Sequence, residues 1–151
     1  MRLRIMGQLA LLVFACALPV FAQDPTIEYG HPDELRGVTK VFVNTNANVR
    51  QREMIVNTIT KYLPNLQVVS RPEDADIHLR FSLRETRNGQ REGVGTVVKL
   101  VGGNRERVLL SVEDEFPPIF ERGSIVSYGL EHARPRMFAR EFVKAYQKAN
   151  G

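Results

Sequence analysis

A chain of 151 residues with a single cysteine and a net charge of +4 suits one domain and is too poor in cysteine for a disulfide-stapled module. Two of the 21 basic residues, Arg2 and Arg4, lie at the start, so the rest of the chain has 19 basic and 17 acidic side chains, or +2. That balance argues against the concentrated basic surface that non-specific nucleic-acid binding needs.

The first 22 residues have the three-part pattern of a secretory signal peptide. Arg2 and Arg4 precede an apolar run over residues 5–17, and the small residues Val20 and Ala22 occupy the −3 and −1 positions of a cleavage site. The run is shorter than the roughly 20 residues that span a bilayer. We therefore predict cleavage after Ala22 and no membrane span in the mature chain, with an uncleaved anchor as the alternative.

The single cysteine, Cys16, lies inside this segment. Residues 13–16 loosely resemble a lipobox, so lipid attachment at Cys16 is a second alternative to cleavage after Ala22. Cleavage after Ala22 leaves no cysteine, which excludes disulfides, thiol nucleophiles and cysteine-ligated metals. Because eukaryotic extracellular modules more often carry disulfides, the combination indicates a bacterial protein that is periplasmic or secreted.

The segment that follows the signal peptide, residues 23–36, is polar and rich in turn-forming residues. We predict a loosely ordered or surface-packed leader without chemistry of its own. One domain over residues 37–150 should follow it.

The predicted domain begins with a strand at 38–43, a helix at 49–63 and a strand at 66–69, which make a right-handed parallel β-α-β unit. Residues 75–84 then alternate apolar and polar, as in a half-buried strand. The link at 71–74 is too short for a helical crossover. We therefore predict that this long strand runs antiparallel to the one before it.

Two further strands, at 94–101 and 107–112, complete an antiparallel meander. Gly93, Gly95 and Gly102 are predicted to be turn or strand-start residues, because no phosphate-loop motif surrounds them.

Residues 113–129 show no clean period and are predicted to form a long loop, followed by a helix at 135–148. Both helices should cover the same side of the sheet. The sequence thus predicts an α+β fold, a two-layer sandwich with a mixed five-stranded sheet and two helices on one face.

Arginine dominates the basic residues of the meander, which suits recognition of carboxylate or phosphate groups. We identify Arg80, Arg84 and Arg107 as candidate contacts for an acidic protein or an anionic envelope component. The alternative is a solvated face on which the arginines alternate with glutamates such as Glu106.

The aromatic residues Phe116 and Phe120 flank a Pro-Pro pair in the predicted loop. They are further candidates for partner binding, as an exposed anchor. They could equally fold inward and close one end of the core.

His78 shares the polar side of the long strand with Asp76 and Arg80 and could act as an acid or base. A small periplasmic hydrolase is therefore the alternative function, although no nucleophile is marked beside it and a solvated sheet face is the simpler interpretation. The three histidines lack metal-ligand spacing, and the acidic run 113–115 lacks the pattern of a calcium loop. We expect neither metal nor cofactor.

Residues 35–43 (LRGVTKVFV) and 72–81 (PEDADIHLRF) together carry a resemblance. A strand, a helix, a strand and then Ala-Asp opening a long alternating strand resemble small exported bacterial proteins of unknown function, related to the amino-terminal domain of TolB. The resemblance covers about residues 35–85, and the chain departs from it at the short link 71–74. It implies a non-enzymatic envelope module and transfers no functional residue.

These observations together predict an exported bacterial protein of the cell envelope. We expect a non-catalytic module that binds another envelope component through its arginine-bearing sheet face or its aromatic loop.

Overall fold

The computed structural model describes residues 24–46, 49–85, 91–102, 104–115 and 125–151. The predictions for Ala22, Cys16, Phe116 and Phe120 lie outside the described residues.

In the described part of the chain, one mixed sheet of six strands carries two helices on one of its faces. Its order is β1-β6-β5-β4-β2-β3, with β1 and β3 at the two edges. The elements are β1 (Thr26–Tyr29), a 3-10 turn (Pro32–Leu35), β2 (Lys40–Thr45), α1 (Val49–Tyr62), β3 (Gln67–Val69), a second 3-10 turn (Pro72–Asp74), β4 (Ile77–Glu85), β5 (Arg91–Leu100), β6 (Arg105–Glu115) and α2 (Ile125–Asn150). The predicted α+β sandwich is confirmed, with one strand more than expected.

The core lies between the two helices and the sheet face that they cover, which we call the helix face. The alternation of β4 directs every second side chain into this core, and the apolar stripes of α1 and α2 meet them there. The fully buried members include Ile77, Leu79, Ile55, Ile59, Phe138 and Phe142. Each such side chain contributes roughly 1.5–3 kcal/mol through burial, which makes this layer the main source of stability.

Gly95 lies in the middle of β5, opposite Phe81, and not at a turn or strand start as predicted. A Cβ atom there would lie less than 3.0 Å from three ring atoms of Phe138. The missing side chain is therefore what lets α2 approach β5. Gly102, by contrast, has a φ of +92° and does serve a turn.

The predicted leader is part of the fold. Thr26–Tyr29 forms β1, which pairs in parallel with β6, and Leu35 is buried in the core. Two contacts with the end of α2 hold this segment: Arg36 Nε donates to the Ala149 carbonyl at 3.1 Å, and Asn150 Nδ2 donates to the Leu35 carbonyl at 3.1 Å. The prediction of a loose leader is wrong because it weighed the polar composition and overlooked one buried leucine and a four-residue alternation.

The predicted antiparallel step from β3 to β4 is also wrong. Both strands run parallel to β2, which lies between them. Moving across one intervening strand needs only about 10 Å, and residues 70–76 cover that distance without a helix. The prediction considered only a helical crossover, whereas the chain uses the short 3-10 turn at Pro72–Asp74.

The predicted loop over residues 113–129 is too long at both ends. The last helix also begins earlier than predicted. β6 continues to Glu115, and α2 begins at Ile125 and contains Pro135 in its interior. A proline inside a helix removes a main-chain hydrogen bond and costs about 3 kcal/mol. Pro135 is fully buried beside Phe138 on the core side of α2, so its packing offsets that cost.

Candidate functional site

The sheet face opposite α1 and α2, which we call the open face, carries most of the polar residues that the sequence singled out. The alternation of β4 places Asp76, His78, Arg80 and Arg84 on this side, because Ile77, Leu79 and Phe81 point into the core. Neither of the two helices packs against it.

His78 is held in place by contacts within the fold. It is buried, its Nε2 atom lies 3.0 Å from the Pro72 carbonyl oxygen, and its ring meets Phe42 edge-on at 5.5 Å between centroids. These contacts hold the segment between β3 and β4, which contains Pro72, against β2. A groove on the other side of the sheet, described below, does not include His78. A hydrolase site around His78 stays a prediction.

Asp76 joins the start of β4 to the start of β2. Its Oδ2 atom accepts hydrogen bonds from the main-chain nitrogens of Thr39 and Lys40, both at 2.8 Å, and from Thr39 Oγ1 at 3.1 Å. The hydrogen bond from the Thr39 main chain is the largest cause that holds the pKa of this carboxyl below its usual value. Asp76 is therefore occupied in fixing strand register.

Arg80 reaches across β5 to Glu106 on β6. Its two terminal nitrogens lie 2.6 Å from the two carboxylate oxygens of Glu106, the fork-to-fork geometry of a strong charge-assisted pair. The hydrogen bond from Arg80 is the largest cause that lowers the pKa of Glu106. This pairing corresponds to the solvated-face alternative, and binding of a partner by Arg80 stays a prediction.

Arg107 lies on the opposite side of the sheet from Arg80. Val97 of β5 pairs with Leu110 and Val98 pairs with Val108, so Leu109 is the extra residue of a bulge in β6, and the alternation of β6 changes face there. Arg107 consequently meets the leader: its Nη2 lies 3.0 Å from Glu28 Oε2 and its Nη1 lies 3.2 Å from Glu34 Oε2. The structure therefore brings Arg80 and Arg84 to one face and does not bring Arg107 to them.

Acid should weaken the fold because it protonates the carboxylates of Asp76 and Glu106. The folded-state pKa values of Asp76 and Glu106 fall below the ordinary 3.8 and 4.5. Their contribution is therefore complete above those values and is lost as the pH falls through the lower folded-state pKa values. We expect Glu106→Gln to cost about 1–2 kcal/mol near pH 7, and to flatten the fall in unfolding free energy between about pH 5 and pH 2 in urea titrations.

A matched control for that variant is Glu73→Gln. The Glu73 carboxylate lies 3.8 Å from Arg71 Nε, and both side chains are more than half exposed. Such a pair contributes little, so this variant should follow the wild-type pH profile. If the unfolding free energies of the two variants varied with pH in the same way, the ion pair between Arg80 and Glu106 would not contribute to stability.

The outer edge of β1, with which no described strand pairs, was missed by the sequence interpretation, and we call it the free edge. The main-chain nitrogens of Thr26 and Gly30 donate to the carbonyls of Asn104 and Val108, both at 2.9 Å, so the main-chain groups of Ile27 and Tyr29 point away from β6. Register pairs Ile27 with Glu106 and Tyr29 with Val108, which places both side chains on the open face. The signal that could have revealed this strand is the alternation Thr-Ile-Glu-Tyr.

An apolar corner of the open face adjoins this edge. Tyr29 is 86% exposed, Ile27 is 57% exposed, and Leu100, which pairs in register with Glu106, is 50% exposed. Large apolar side chains grouped in this way are typical of contact surfaces. We call Ile27, Tyr29 and Leu100 the edge cluster.

A groove runs along α2 on the helix face, beside β5 and β6. Its volume is about 450 Å³, within the range of ligand sites. Its described lining residues are Phe81, Gly93, Val112, Glu113, Arg134, Met137, Phe138, Arg140, Glu141 and Lys144. Among them, Arg134 is buried together with the apolar residues Phe81 and Phe138, whereas the other charged side chains are exposed.

Among the described residues, no group of three or more histidine, cysteine or acidic side chains could hold a metal ion. The same part of the chain has no helix both long and apolar enough to cross a membrane.

No family model matches the chain, and no curated protein matches it. Among solved structures, the chain is similar to a minor lipoprotein from Acinetobacter baumannii, with a TM-score of 0.39 and 17% sequence identity over 74% of this chain and 93% of that chain. A likeness at this level leaves fold and function to be argued from the chain's own residues. The resemblance to the amino-terminal domain of TolB stays a prediction.

Proposed function

We propose that this protein is an exported, non-catalytic module of the bacterial cell envelope that binds another envelope protein through the free edge of β1 and the edge cluster. The observation that carries the proposal is that the main-chain groups of Ile27 and Tyr29 point away from β6, where no described strand pairs with them, while the side chains of the same residues are exposed. An exposed strand edge is a template for a strand of another chain.

Export is supported by the signal-peptide pattern of residues 1–22. Cleavage after Ala22 would leave Gln23 as the first residue, only three positions before β1 begins at Thr26. The edge would then lie beside the mature amino terminus, with little chain to obstruct it. Lipid attachment at Cys16 is the alternative, and it would hold the same edge close to a membrane.

The charges beside the edge favour an approaching strand. Glu28 is the charged residue of β1, and it lies on the helix face, where Arg107 and Arg105 neutralise it at 3.0 Å and 3.7 Å. The partner's strand would therefore meet main-chain groups and apolar side chains without an uncompensated charge from β1.

The arginines predicted as contacts have different places in this proposal. Arg84 is exposed on the open face and remains a proposed secondary contact. Phe116 and Phe120 also remain proposed contacts. Arg80 and Arg107 would have to exchange their carboxylate partners for those of another molecule. We therefore expect them to support the surface rather than to recognise the partner.

Photo-crosslinking in intact cells tests the proposal. A benzophenone amino acid replaces Tyr29 in the tagged, exported protein, and in a matched control it replaces Tyr62, a half-exposed tyrosine on α1 at the other side of the molecule. We expect one discrete crosslinked envelope protein from position 29 and none from position 62. The same products from both positions, or none from position 29, would contradict the proposal.

A further inference from the structure

The groove along α2 is elongated. Four of its lining residues, Arg134, Met137, Glu141 and Lys144, recur at intervals of three and four along one side of the helix. Ten residues separate the first from the last, which corresponds to about 15 Å along the helix axis. A slot of that length fits a linear ligand better than a compact one.

Most of the floor of the slot is apolar, and the buried side chain of Arg134 lies at one end of it. Phe138 and Phe81 form its inner wall and Val112 of β6 its base, while Met137 stands half exposed along it. Gly93 of β5 has no side chain, and the side chain of Arg134 packs against it: a Cβ atom at Gly93 would lie 3.4 Å from Arg134 Cδ. Methionine fills irregular spaces because its side chain is unbranched and flexible, so this floor suits a chain of methylene groups.

The rim offers a cation on its solvent side. Lys144 is neutralised by Glu141, whose Oε1 atom lies 2.6 Å from the lysine nitrogen. Arg140 is exposed and makes no hydrogen bond or ion pair with any described residue. A guanidinium recognises a carboxylate through two parallel hydrogen bonds, as Arg80 does with Glu106 in this chain.

We propose that this groove binds a free single-chain carboxylate amphiphile, with its alkyl chain along Val112, Met137 and Phe138 and its carboxylate on Arg140. The site lies on the opposite side of the sheet from the edge cluster, so it does not depend on the proposed partner binding. The proposed occupant is a free molecule with a single alkyl chain, and the experiment below distinguishes it from a bilayer lipid.

Calorimetric titration of the mature protein with dodecanoate, below its micellar concentration, tests the assignment. We expect saturable binding of one molecule per chain. Arg140→Gln should weaken dodecanoate binding about tenfold, the effect of one partly exposed charge-assisted hydrogen bond, and should leave the binding of neutral dodecanol unchanged. Met137→Asp, at a half-exposed position, should weaken both ligands about tenfold.

The matched control is Arg136→Gln, which removes the same charge from an exposed position of the same helix outside the groove. It should change neither affinity more than about twofold. Equal weakening by Arg136→Gln and Arg140→Gln would overturn the assignment to the groove. Absence of saturable dodecanoate binding would overturn the proposed ligand class and favour a protein segment as the occupant. Preferential binding to vesicles of phosphatidylglycerol would also overturn it and favour a membrane.

Discussion

Replacing Gly95 with alanine is expected to lower the free energy of unfolding by about 3 kcal/mol, the upper end of the range for overpacking a core. The added methyl group would lie less than 3.0 Å from three ring atoms of Phe138. Phe138 is itself almost fully buried and stacks on Phe81, with 6.0 Å between ring centroids, so it has little room to move. Urea denaturation of the purified variant measures the loss.

Gly93→Ala is the control for that variant, since it makes the same change two residues earlier on the same face of β5. A Cβ atom at Gly93 would lie 3.4 Å from Arg134 Cδ, an ordinary contact, so we expect a change within about 1 kcal/mol. The double variant Gly95→Ala with Phe138→Leu should lose less than the sum of its single changes. Equal losses from the two glycine variants would show that α2 does not rest on Gly95.

Replacing Leu35 with alanine is expected to cost about 3 kcal/mol, within the range measured for buried leucines. Leu35 has no exposed surface, and it belongs to the same core cluster as Phe142 and Val143 of α2. Removing its side chain leaves a cavity between the leader and the end of α2. Thermal or urea unfolding of the mature protein measures this loss.

Ile27→Ala is the matched control, because it truncates an apolar side chain in the same leader segment. Ile27 is mostly exposed, so we expect a loss of about 1 kcal/mol or less. If the leader were not part of the fold, Leu35→Ala and Ile27→Ala would have equal free energies of unfolding. Unequal losses in the predicted order would establish that residues 26–35 complete the domain.

The central layers of the fold could be predicted because their patterns are long. The ten-residue alternation around Phe81 identifies β4, and the stripe that includes Ile55 and Ile59 identifies α1. β1 has only four residues beside turn-forming neighbours, too few to outweigh a polar composition. Pro135 likewise indicates a helix start by local preference, whereas tertiary packing places it inside α2.

The arrangement of the arginines could not be predicted because it depends on one bulge. Strict alternation would place Arg107 on the same face as Ser111, which lies opposite Thr96 and Arg80 on the open face. The register shift at Val97 and Val98 instead turns Arg107 toward Glu28 and Glu34. No residue type in this stretch signals the bulge, so the sequence indicates a cluster that the backbone divides between two faces.

Amide hydrogen exchange, on the protein alone and with the crosslinked partner added, tests the free edge most directly. In the isolated protein, the amides of Thr26 and Gly30, which donate to the carbonyls of Asn104 and Val108, should exchange more slowly than those of Ile27 and Tyr29. The partner should then protect Ile27 and Tyr29 and leave the amides of α1 unchanged. Protection of Ile27 and Tyr29 in the isolated protein, or no added protection in the complex, would contradict strand addition at β1.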